Sequence, residues 1–222
     1  MYSNQHFAKN MLDGESERYH QPHDDNVILM EHQKASVFRM LEIECATGKT
    51  HYEQSVMRAH YNSDCRFGIL ADKMGSGKTY TMLNLLKANK KCFFDDPAYS
   101  MLYMNHLMDR VAMTTLLIVP NKLNRQWAES MDKVGIKYFN INLMSRLSDI
   151  TEIGEQDSRL DLDKLGEYDV ILVNDTILSK DLRNHDMFIS TVWNRVVVDE
   201  ADSIVIPNRG IFSYGFMWLR CV

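Results

Sequence analysis

The chain has 222 residues, of which 45% are hydrophobic and 25% charged, and its formal net charge is −5. This is ordinary globular usage for a length that suits one α/β domain with a sizeable core. A mildly acidic balance excludes an overall field that holds nucleic acid, so any such contact has to come from a local patch.

Cys45, Cys65, Cys92 and Cys221 show no CxxC and no paired spacing, which indicates neither a zinc site nor a disulfide framework. Reduced thiols fit an intracellular compartment. The histidines form no metal-ligand spacing. No basic-then-apolar leader opens the chain and no apolar run approaches the ~18 residues of a membrane span. The expectation is a soluble protein of cytoplasm or nucleus, or of a virion if viral, with no membrane partner.

Residues 1–25 are polar and without period, and are expected to form a flexible tail; the domain is expected over 26–222. In VILMEHQKASVFRMLEIE, Val37, Met40, Leu41 and Glu44 recur at helical spacing, which predicts a helix of about three turns. Residues 45–65 read as polar and irregular. Thr47-Gly48-Lys49-Thr50 lies there and imitates a phosphate-loop ending. It follows a helical pattern instead of a strand, and Ile43 stands where a first glycine belongs, so it is read as a decoy.

FGILAD (67–72) reads as a buried strand, and KTYTMLNLLKANKK as a helix with a lysine-rich end. Between them lies DKMGSGKT. Gly75 and Gly77 let the backbone turn its N–H groups inward, where with Met74 and Ser76 they can cradle phosphate oxygens. The helix N-terminus adds partial positive charge at the same point. Lys78 is placed to reach the β- and γ-phosphates, and the Thr79 hydroxyl to take a position on Mg2+. The strict pattern G-x-x-x-x-G-K-[ST] breaks at its first position, which is Asp72, but a strand before and a helix after supply the required context. ATP and Mg2+ are the expected ligands.

KCFFDDPAYSMLYMNHLMDRVAM (91–113) is rich in methionine and aromatics and reads as an inserted helix packed on the domain, with a partner-binding element as the alternative. TTLLIVP (114–120) is a second buried strand, NKLNRQWAESMDKV its helix, KYFNINLM (137–144) a third strand, YDVILVND (168–175) a fourth and NRVVVDEAD (194–202) a fifth. Continuous apolar runs mark strands covered on both faces, hence an α/β fold with a parallel sheet and helices on both faces. VVVDEAD puts Asp199 and Glu200 at a strand end, where ligands gather in such sheets. Asp199 is expected to bind the metal and Glu200 to orient and deprotonate an attacking water. The competing reading is an exposed acidic helix start.

In this order DKMGSGKT, LLIVPNKLNRQW and VVVDEAD resemble motifs I, Ia and II of superfamily 2 helicases. Aspartate in the first-glycine position is similar to the chromatin-remodeller branch and to helicase-like ATPases of large DNA viruses. The DEAD tetrad departs from the DEGH or DEAH wording of those branches, so the subfamily stays open. The resemblance covers residues 27–222 and implies a P-loop NTPase fold, the first RecA-like domain of a helicase-type ATPase that drives translocation or remodelling. It implies that Gln33 in LMEHQ reads adenine, whose two-sided edge suits a side-chain amide. It also implies that Pro120, Asn121 and Lys122, with Asn174 and Thr176 in LVNDTIL, approach a DNA or RNA backbone. Trp127 is expected in the core.

The family's third motif, a Ser/Thr-Ala-Thr-Pro turn, follows a strand after the acidic motif. The run Phe216–Val222 looks like that strand, so the chain is expected to be truncated before this motif and before the second RecA-like domain. In the family the second domain supplies arginines over the γ-phosphate, so little turnover is expected of the isolated chain. The alternative is a stand-alone nucleotide-binding interaction module without motor activity. A P-loop kinase would need an acceptor site and a lid arginine cluster, and the DEAD and Gln33 elements argue against it.

Overall fold

A computed structural model describes residues 12–45, 54–56, 59–61, 66–90, 93, 111–153, 158–180, 187–204 and 212–221. Strands β1 (Gln54–Val56) and β2 (Ala59–Tyr61) pair as an antiparallel hairpin. Next come β3 (Phe67–Leu70), β4 (Val111–Val119) and β5 (Tyr138–Ile141). A second hairpin joins β6 (Thr151–Ile153) to β7 (Ser158–Leu160). The last three strands are β8 (Val170–Asn174), β9 (Val192–Asp199) and β10 (Ser213–Arg220). Six of these form one sheet in the order β3-β10-β9-β4-β8-β5, and every neighbouring pair is parallel.

Parallel neighbours cannot be joined by tight turns, so each connection has to cross a face of the sheet. Side chains alternate along each strand, and two apolar layers result. On one face Leu117, Val119, Val197, Phe216 and Trp218 pack with Met40, Met82, Leu83, Trp127 and Met131. These come from helices α1 (Glu31–Cys45), α2 (Lys78–Ala88) and α3 (Asn124–Val134). On the other face Leu116, Ile118, Val196 and Val198 pack with Leu147, Leu165, Ile177 and Leu178. Those side chains come from the short helices α4 (Met144–Leu147), α5 (Leu162–Gly166) and α6 (Asp175–Lys180). The expected doubly covered parallel sheet is therefore present, with VILV and RVVVD among its interior strands. Among the described residues no helix is long and apolar enough to cross a membrane.

Four expectations need correction. FGILAD reads as a buried strand, yet in β3 Phe67 is 40% and Ile69 56% exposed. Its only neighbour among the described residues is β10, so it is an outer strand with one face open. Part of the stretch read as irregular, 45–65, forms the β1–β2 hairpin. Residues 12–25, read as flexible tail, are tied down. The Gln21 amide donates to the Val27 carbonyl and accepts from Leu29 N–H, and Asp25 pairs with Lys87 of α2. Finally, the last strand begins at Ser213, three residues before the apolar run signalled it, and it inserts between β3 and β9. Of the stretch 91–113, only Phe93 and the start of β4 are described; the Thr47–Thr50 decoy and residues 1–11 lie outside the described residues.

Candidate functional site

The loop that leaves β3 turns back through two left-handed glycines, Gly75 at φ 81° and Gly77 at φ 78°, and runs directly into α2. A side chain at either position would be strained, and at Gly77 it would also strike the Gln33 amide at 2.2 Å. Lys78 opens the helix and is 5% exposed. Its ammonium donates to the carbonyl oxygens of Asp72 and Lys73, the latter at 3.1 Å, so the charge is held within the curl of the loop. Asp72 thus fills the first-glycine position with a backbone carbonyl contact that any residue type could make. Ser76 Oγ is buried there without a partner among the described residues.

Gln33, on the first turn of α1, is 5% exposed. Its amide nitrogen donates to the carbonyls of Ser76 and Gly77 at 3.3 and 3.2 Å, and its oxygen accepts from Met30 N–H at 2.8 Å. Both amide hydrogens are engaged by the loop. His32 Nε2 lies 3.0 Å from the Ser76 carbonyl, so α1 holds the loop through two side chains.

The acidic pair stands across from this loop. Alternation places Arg195, Val197 and Asp199 of β9 on the face that carries α1, α2 and α3. Asp199 is 1% exposed. Its Oδ2 accepts from Trp127 Nε1 at 2.6 Å and from Arg220 at 2.9 Å, and its Oδ1 accepts from Glu200 N–H at 2.9 Å. Burial pushes the Asp199 carboxyl above its ordinary range, against the opposing pull of the Arg220 guanidinium and the two N–H donors. Burial likewise pushes Arg220 down, although a guanidinium keeps its charge.

Glu200 adopts φ 46°, a conformation uncommon for a residue with a side chain. Ala201 N–H bonds the Arg220 carbonyl, and Ser203 N–H bonds the Glu200 carbonyl at 2.8 Å, which fixes the turn around the strained residue. Its Oε2 pairs with Lys122 Nζ at 2.9 Å. The Glu200 carboxylate, with weaker help from Asp175 and Asp199, holds the Lys122 ammonium above the ordinary lysine range.

One cleft of about 600 Å³ is lined by Met74 to Tyr80 of the loop and by Asp199, Glu200 and Arg220, with Trp127 and Gln126 from α3. Met74, Gly75, Ser76, Gly77, Lys78 and Thr79 are therefore brought together with the acidic pair. The five residues expected at a nucleic-acid backbone fare differently. Pro120 precedes a single 3-10 turn, Asn121–Leu123, at the carboxyl end of β4. Asn121 N–H bonds the Asp175 carboxylate at 3.0 Å, and Lys122 is committed to Glu200. Asn174 is 1% exposed, and its amide oxygen caps α6 by accepting from the Thr176 hydroxyl at 2.6 Å and Ile177 N–H at 3.0 Å. Both side chains are committed to that turn.

Sequence reasoning missed three functional-looking contacts. Trp127 is buried as expected, but its indole N–H also anchors Asp199. A buried indole needs a partner, and that was the available signal. Arg220 and Lys122 carry no local signal, because their partners lie in segments remote in sequence.

A divalent ion needs hard oxygen donors, and Mg2+ typically takes one or two from protein and the rest from phosphates and water. Thr79 and Asp199 on one cleft fit that demand. Among the described residues no group of three or more His, Cys, Asp or Glu could hold a metal ion.

Residues 32–210 match the SNF2-related domain. The chain belongs to that family, and is thereby the N-terminal domain of a superfamily 2 helicase-like ATPase. It is similar to R592 of Acanthamoeba polyphaga mimivirus, named as a candidate helicase, with 28% identity over 171 residues, 64% of this chain and 20% of that protein. It is 27% identical over 177 residues to the DNA (cytosine-5-)-methyltransferase DMT5 of Cryptococcus neoformans var. grubii, covering 73% of this chain and 7% of that one. To the ATP-dependent helicase IRC20 of Saccharomyces cerevisiae it is 26% identical over 134 residues, 59% of this chain and 8% of that one. The chain thus spans a fifth or less of each relative.

Proposed function

We propose that this chain is the ATP-binding half of a nucleic-acid-dependent ATPase that uses hydrolysis to drive translocation or remodelling. The observation that carries this reading is the single cleft shared by residues 74–80 and by Asp199 and Glu200. In it the Gly75–Gly77 backbone and the Lys78 ammonium bind the triphosphate. Thr79 and Asp199 would hold Mg2+, which neutralises charge on the β- and γ-phosphates. Glu200 accepts the proton of the attacking water at its carboxylate. Gln33 links α1 to the loop; to read adenine it would exchange the Ser76 and Gly77 carbonyls for the base edge. The names of two relatives, each a helicase, and of a third that methylates DNA support a nucleic-acid partner. In this reading a second RecA-like domain supplies the arginines that close over the γ-phosphate, a contribution worth roughly 10³–10⁵ in rate in enzymes where it has been separated out.

The test is equilibrium binding of a fluorescent ATP analogue with Mg2+ to the purified chain. A charge-assisted contact to phosphate is worth about 1.5–3 kcal/mol, so Lys78→Ala weakens binding by roughly one to two powers of ten while circular dichroism stays unchanged. Equal affinity in the two proteins removes the site assignment.

A further inference from the structure

Each carboxylate at the end of β9 meets a cation of its own chain, and the two cations differ in exposure. The Arg220 side chain, paired with Asp199, is 16% exposed and stacks over the Trp127 ring. The Lys122 side chain, paired with Glu200, is 69% exposed and stands on the turn after β4. Glu200 Oε2, the same oxygen, also accepts from Ser203 Oγ at 3.3 Å.

An ion pair with one partner this exposed is weak and screened by salt, so an external anion can compete for the lysine. Asp175 and Asp199 also act on Lys122, so a lone phosphate approaching the ammonium meets a repulsive field. A phosphodiester chain differs, because it gains from counterion release along its whole length and can meet that cost. We infer that Lys122 is a shared contact, which a nucleic-acid backbone takes from Glu200, so that nucleic-acid binding and release of the Glu200 carboxylate are coupled. The inference rests on the nucleic-acid partner proposed above, and the use made of the released carboxylate rests on the ATPase reading.

Coupling is reciprocal, so removing Glu200 as competitor must strengthen nucleic-acid binding. Binding of labelled DNA and RNA oligonucleotides to the purified 222-residue chain, followed by fluorescence anisotropy at low salt, tests this. Glu200→Gln tightens binding by about two- to fivefold, the range of an exposed pair. Lys122→Ala weakens it. In the Lys122→Ala background, Glu200→Gln has no further effect, and inorganic phosphate does not displace the oligonucleotide at equal phosphate concentration. Equal tightening in both backgrounds overturns the inference, since it would report only a lost negative charge. So does unchanged affinity in Glu200→Gln, or the absence of binding in every variant. A failed Lys78→Ala nucleotide test would remove the ATPase reading and leave this double-mutant result standing, so the two failures are distinguishable.

Discussion

Two buried charge clusters occupy the same face of the sheet, one at the middle of β9 and one at its carboxyl end, and they are built on opposite plans. At mid-strand Glu44 of α1 receives Arg195 through two parallel bonds of 2.7 Å, with further donors in Trp218 Nε1 at 2.9 Å and Asn89 Nδ2 at 2.5 Å. Arg195 in turn reaches the Asn89 carbonyl and the Thr115 hydroxyl. The side chains of this pair are 0% and 3% exposed. At the carboxyl end Asp199 has a comparable set of donors, yet its partner Arg220 borders the cleft and the adjoining Glu200–Lys122 pair reaches solvent. A charged group with every lone pair satisfied and no outlet can only hold elements together. A charged group satisfied by partners that border a cleft can exchange them for a ligand. The closed cluster thus clamps α1 to β9 and β10, and the open one has partners at the cleft that it can exchange.

Breaking the closed cluster should have the largest effect. Glu44→Ala strands Arg195 in the core, and loss of one partner of a buried pair costs about 3–5 kcal/mol. Urea denaturation should show that loss, with a far smaller one for Asp199→Asn, because Arg220 can turn to water in the cleft. Equal losses would erase the distinction between the two clusters. Trp127→Phe comes next. It removes the 2.6 Å indole bond to Asp199 but leaves Arg220 and the Glu200 N–H in place, so about 1–2 kcal/mol is expected in the same measurement.

The smallest effect belongs to a half-buried pair, Asp25 with Lys87. Burial pushes the Asp25 carboxyl up, but hydrogen bonds from Lys87 and Gln21 outweigh it and hold it below the ordinary range. A lowered folded-state pKa stabilises above the unfolded value, near 3.9, and that contribution is lost as pH falls through the folded value. Limited proteolysis with an acid-active protease should therefore show residues 12–25 opening below about pH 4, by a margin of about 0.5 kcal/mol. Asp25→Asn should open them at every pH, with the pH dependence gone.

The elements of the sheet were readable because each signal was local. A strand, a glycine turn and a helix follow one another without interruption from Phe67 to Ala88, and the same holds from Val111 to Val134 once the short 3-10 turn is included. Misreadings came where the outcome depended on a neighbour. FGIL has the composition of a central strand but is an outer one, and Gln21 and Asp25 look like tail until α1 and α2 are there to receive them. Glu44 showed helical spacing in the sequence, yet nothing near it announced Arg195, which lies on β9, or Trp218 on β10.

What the residues determined unaided is the covalently continuous part: the Gly75–Gly77 bend, the apolar runs of β4, β8 and β9, and carboxylates at a strand end. Which strand lies beside which is a matter of packing between distant segments, and only the folded chain decided it. β10 entered between β3 and β9 in a register that sets Arg220 opposite Asp199, and the turn after β4 brought Lys122 to Glu200. Ion pairs depend on distance in space, and no spacing along the chain encodes a distance across three strands.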